Sequence, residues 1–103
     1  MNALEELART IEQRKSEGTA NSWTAKLLAQ GPKKTSQKFG EEAVEAIIEA
    51  VEGDRAGLIS EAADVLYHLL VMLASRNVAL EDVLDELNRR KRRSGIEEKR
   101  QRR

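Results

Sequence analysis

Two acidic pairs, Glu42 with Glu45 and Glu61 with Asp64, are the residues in this chain whose types and spacing best suit chemistry. The members of each pair stand three apart, so on a helix both carboxylates leave one face with Cβ atoms ~5–6 Å apart. Two oxygen ligands so placed suit one hard cation. Between the pairs lies Gly53-Asp54, where Gly can take a left-handed position closing one helix and Asp can cap the next. The expectation is an antiparallel αα-hairpin in which Glu42 faces Asp64 and Glu45 faces Glu61. All four carboxylates then meet at one level, roughly 12 Å from the turn.

The second helix of this hairpin supplies the sharper argument. From Ala62 to Ala74 it reads AADVLYHLLVMLA, apolar nearly all the way round, with only Asp64, Tyr67 and His68 polar; that is the pattern of a buried helix. An ionised carboxylate in such surroundings is strongly unfavourable unless paired or bound to metal. No Lys or Arg lies between Arg55 and Arg76, so a cation must come from elsewhere. His68, one turn beyond Asp64, is expected to support a ligand rather than to be one.

The first helix of the hairpin follows Gly31-Pro32, with proline in its first turn. At about 100° per residue, Lys34, Lys38, Glu42, Glu45 and Glu49 share one face and Val44, Ile47, Ile48 and Val51 the opposite side. Alone, that stripe reads as a solvated face of ion pairs; the acidic pair on the apolar helix opposite turns it into a site. Upstream, Asn2 and Glu5 form a capping box for a helix expected to end near Gly18. The stretch from Asn21 to Leu28 reads as a short capped helix. Its Trp23 either anchors the connection in the core or, with Thr24 and Lys26, edges a nucleotide pocket. A last amphipathic helix follows Asn77, with Leu80, Val83, Leu84 and Leu87 backed by a solvated acidic face.

Periodicity thus gives an all-α, four-helix-bundle-like chain, divided as a helical domain over 1–93 and a basic tail over 94–103. At 103 residues its core is small enough that pairing into a homodimer would help. The formal charge is zero, yet residues 1–88 carry nine basic and sixteen acidic groups, while nine basic residues crowd positions 89–103. An acidic body argues against nucleic acid as partner. Without cysteine, thiolate metal sites are excluded. The N-terminus lacks a basic-then-apolar signal and no apolar run is expected to span a membrane, so the expected compartment is the cytoplasm.

Oxygen-only ligands point to Mg²⁺, with Mn²⁺ as the alternative. Mg²⁺ takes its remaining ligands from water and substrate phosphates, and Lys34 and Lys38 would meet phosphate charge left over. The implied reaction is attack of water on a phosphoanhydride. A di-iron bundle would need Glu-x-x-His motifs, and here Asp64 stands three residues after Glu61.

The run KLLAQGPKKTSQKFGEEAVE followed by EAADVLYHLLVML closely resembles the phosphoribosyl-ATP pyrophosphohydrolase family. It also fits the wider all-α nucleoside-triphosphate pyrophosphohydrolases, whose EExxE and ExxD signatures correspond to Glu41-Glu42-x-x-Glu45 and Glu61-x-x-Asp64. SWTAKL, GPKK and SGIEEK at 94–99 extend the likeness over most of the chain. The resemblance implies Glu42, Glu45, Glu61 and Asp64 as Mg²⁺ ligands and Glu41 as a group that either supports a ligand or orients the water. It further implies phosphoribosyl-ATP as substrate, cleaved between the α and β phosphates, and a helical homodimer. Two rivals stay open: a hydrolase of canonical or damaged nucleoside triphosphates, and a non-enzymatic helical module with a basic tail.

Overall fold

Helix-capping chemistry written into the sequence sets where the helices start. In the computed structural model, which describes residues 2–18 and 22–92, the Asn2 side chain accepts from the Glu5 amide at 2.9 Å and the Glu5 carboxylate accepts from the Asn2 amide at 3.4 Å. This box opens α1 (Ala3–Arg14). Ser22 Oγ accepts from the Ala25 amide at 3.1 Å and opens α2 (Trp23–Ala29). Asp54 Oδ1 accepts from the Gly57 amide at 2.7 Å and opens α4 (Arg55–Ser75). Pro32 lies in the first turn of α3 (Gly31–Glu52), and α5 (Leu80–Lys91) closes the described chain. No strand occurs among the described residues.

Helices α3 and α4 form the expected antiparallel hairpin and make the most extensive helix pairing in the fold. At its open end α1 and α2 pack on α4, burying Ile11, Leu27, Leu70, Val71 and Ala74, with Leu80 at the start of α5 resting on the same cluster. Thr35, fully buried, bonds Ser75 Oγ at 3.0 Å and joins α3 to α4 there. The turn end of the hairpin has no such cover.

Several expectations change. Helix α1 stops at Arg14, four residues short of Gly18. Gly53 is extended, at φ −94° and ψ −160°, rather than left-handed. Space explains the glycine: a Cβ there would stand 2.8 Å from Cα of Glu49. Positive φ occurs instead at Gly31 and at Asn77, which ends the turn after α4. Helix α4 is not buried all round: only His68, Leu70, Val71 and Ala74 are, all in its second half. It is long and apolar enough to cross a membrane by length and composition, contrary to the sequence expectation, a test that core helices of soluble proteins also pass. On α5 the acidic face is solvated, and Arg89 and Arg90 donate to Glu86, holding its carboxyl at about 2. The basic tail and SGIEEK lie outside the described residues, as does Asn21.

Candidate active site

The hairpin register brings Glu42 from α3 against Glu61 and Asp64 from α4. One carboxylate oxygen from each lies within 4.8 Å of the others. Glu42 and Glu61 are half-buried and Asp64 is exposed. Oxygens on opposite sides of one Mg²⁺ stand ~4.2 Å apart at bonds of ~2.1 Å, so modest side-chain rotation would let the three share an ion. Among the described residues none forms a salt bridge to this trio. Glu45 is exposed and stands outside it.

Electrostatics agree with a site that lacks a counter-charge. The Glu61 carboxyl is held above its ordinary value of 4.5, first by partial burial, then by repulsion from Asp64, Glu42, Glu45 and Glu49. Glu49 is the acidic residue that motif reasoning passes over, although it lies on the same helical stripe. Its carboxylate lies where a Cβ on Gly57 would come, 2.3 Å from Oε2. Glycine inside a helix is unfavourable by ~1 kcal/mol relative to alanine; here its missing Cβ leaves room for that carboxylate.

The raised Glu61 has a testable consequence. A proton retained on Glu61 stabilises the metal-free fold fully below pH 4.5, and that contribution disappears as pH rises through the raised folded value. A divalent cation must displace the same proton. The increase in melting temperature caused by Mg²⁺ should therefore be larger at about pH 8 than at about pH 4. Equal increments at both would remove Glu61 from the ligand set.

His68 is 7% exposed, and its Nδ1 lies 2.8 Å from the Asp64 carbonyl. A carbonyl only accepts, so Nδ1 carries the proton in this contact. That nitrogen is committed to the backbone, which fits a supporting role. Glu41 is exposed and held below its ordinary value by a hydrogen bond from Gln37 at 3.1 Å and then by Lys38, whose Nζ lies 3.4 Å away, with Lys34 adding attraction. Lys38 thus pairs with Glu41 rather than with Glu42. On α2, Lys26 is exposed, and Trp23 is 59% exposed and outside the core, which disposes of its reading as an anchor. The Thr24 hydroxyl lies 2.5 Å from that of Tyr67. A cleft of about 400 Å³ between α1 and the start of α5 is lined by none of these groups; Glu5, Arg9, Glu12, Val78, Leu80 and Leu84 are among its lining residues.

Comparison with known proteins identifies the lineage. The family model described as phosphoribosyl-ATP pyrophosphohydrolase matches residues 4–91. The chain belongs to that family. A phosphoribosyl-ATP pyrophosphatase of Paracoccus denitrificans is 71% identical over 96 residues, covering 93% of this chain and 89% of its own length. One from Ruegeria pomeroyi is 67% identical over 99 residues, covering 96% and 94%. One from Cereibacter sphaeroides is 68% identical over 99 residues, covering 96% of both. Each spans nearly the whole chain, so the likeness extends well beyond the short acidic motifs.

Proposed function

We propose that this chain hydrolyses 1-(5-phospho-β-D-ribosyl)-ATP between its α and β phosphates, giving phosphoribosyl-AMP and pyrophosphate, the second step of histidine biosynthesis. The observation that carries the reading is the unneutralised trio Glu42, Glu61 and Asp64 in a chain of this family. Three carboxylates without nitrogen or sulfur suit Mg²⁺, or Mn²⁺ in its place. When bound, such a cation neutralises phosphate oxygens and activates water.

The remaining roles fall to the protein's own side chains. Glu45, at the rim, is available as a further ligand. Glu41, kept ionised by Gln37 and Lys38, can accept a proton from water and orient it. Lys34 and Lys38 meet the departing pyrophosphate. Exposed Trp23 offers a stacking surface for the base, with Lys26 beside it. The working form is a cytoplasmic homodimer joined through the uncovered hairpin. No nucleic acid or membrane enters the scheme.

Pyrophosphate release with and without Mg²⁺, measured on phosphoribosyl-ATP, ATP and deoxynucleoside triphosphates, tests the reading. Phosphoribosyl-ATP is expected to lead in kcat/KM by at least ~100-fold, about 2.7 kcal/mol of discrimination. Equal rates on all would favour a general nucleotide pyrophosphohydrolase, and no release would leave only an interaction module.

Lys38→Met separates phosphate binding from surface pairing. As a half-buried surface partner of exposed Glu41, Lys38 would contribute at most ~1 kcal/mol to stability and nothing to rate. As a phosphate ligand its loss should lower kcat/KM by ~10–100-fold, as a charge-assisted hydrogen bond of ~1.5–3 kcal/mol implies. Mg²⁺ affinity of the free enzyme should hold or tighten. Unaltered kcat/KM would end the phosphate role.

A further inference from the structure

Helix α2 has seven residues, too few to hold a fixed orientation without tertiary support. Buried Ala25 and Leu27 secure it on two sides, while Trp23 is 59% exposed. Among the described residues, one side-chain hydrogen bond joins α2 to α4: Thr24 Oγ1 to the Tyr67 hydroxyl at 2.5 Å. Thr24 is the immediate neighbour of Trp23. Tyr67 lies three residues after Asp64, ~4.5 Å further along the helix axis. The Tyr67 ring meets His68 edge to face, with centroids 4.9 Å apart, and His68 donates to the Asp64 carbonyl. One line of contacts therefore runs from the Trp23 turn of α2 to the turn carrying Asp64.

We propose that Tyr67 is a positioning residue: its bond to Thr24 holds α2 where an adenine stacked on Trp23 presents its phosphates to Glu42, Glu61 and Asp64. The inference rests on the nucleotide reading given above and refines it. Thr24 then acts through Tyr67 and not by touching substrate, since its hydroxyl is already engaged within the fold. Base stacking would contribute binding through Trp23, and the strut would determine how that binding is aligned with the acids.

Tyr67→Phe and Thr24→Val each remove one end of the bond at nearly constant volume, so both variants should fold. KM for phosphoribosyl-ATP is expected to rise about tenfold in each, the worth of one ordinary hydrogen bond. kcat should stay within about threefold, because the acids themselves are untouched. The double variant should be no worse than either single one, since both remove the same bond. Trp23 is the only tryptophan, so its emission gives a readout without chemistry. AMP added without metal should quench wild-type emission and bind about tenfold more weakly to Tyr67→Phe. Unchanged KM and unchanged AMP affinity in Tyr67→Phe would overturn the proposal, as would multiplying losses in the double variant or wild-type emission indifferent to AMP. A wild-type chain that binds AMP as described yet fails to hydrolyse phosphoribosyl-ATP would count against the reaction alone.

Discussion

Asp64→Asn and Glu61→Gln are expected to fold normally and to lose metal-dependent hydrolysis by at least ~10³-fold, the several kcal/mol that a correctly held metal contributes to a phosphoryl transition state. Each exchange removes a ligand charge while keeping shape and volume. Because Glu61 is pushed up by burial and by Asp64, Glu42, Glu45 and Glu49, removing one of these charges relieves repulsion in the metal-free fold. Its melting temperature should hold or rise without metal, and the further increase on adding Mg²⁺ should shrink. Parallel melting curves and pyrophosphate assays decide the matter: near-wild-type turnover in both variants would remove the trio as the metal site. Glu45→Gln supplies the internal comparison. Since Glu45 is exposed and outside the trio, its loss should be the smaller.

What could be read from sequence divides according to the range of the interaction. Asn2, Ser22 and Asp54 act on amides three residues away, so local chemistry alone located the starts of α1 and α4, and for α2 it gave a capped stretch without singling out Ser22. The hairpin followed from Asp54 and the two i, i+3 acidic pairs, and with it the meeting of Glu42, Glu61 and Asp64. Gly53 was assigned to the right turn for the wrong reason, because the restriction there comes from Glu49 lying close to it, not from a left-handed backbone. The bond from Thr24 to Tyr67 spans 43 positions, and no periodicity announces it. The helical wheel put Lys38 on the stripe of Glu42, whereas side-chain packing pairs it with Glu41. The apolar circumference of α4 was legible, but not what would cover its first half. A single chain covers only the second.

That uncovered half carries the second large prediction. On α3, Val44, Ile47, Ile48 and Val51 are exposed, and on α4 so are Leu58, Ile59 and Leu66. The helical wheel puts Val44, Ile47 and Val51 on the side of α3 turned away from Glu42, so covering them leaves the carboxylates accessible. Two hairpins packed through these side chains would make a four-helix bundle. With roughly 1 kcal/mol for completing the burial of each partly exposed side chain, fourteen of them across a two-fold interface are comparable to the ~4–15 kcal/mol cost of association. The chain should therefore sediment at twice 11.6 kDa at micromolar concentration. Ile47→Glu introduces a charge into the interface twice, by symmetry. With several kcal/mol lost at each unpaired buried charge, dimer affinity should fall by at least ~10³-fold. Sedimentation of both proteins over a dilution series reads this directly. A wild-type chain that is monomeric at every concentration, or an Ile47→Glu variant that dimerises as tightly, would mean that the hairpin face has another occupant.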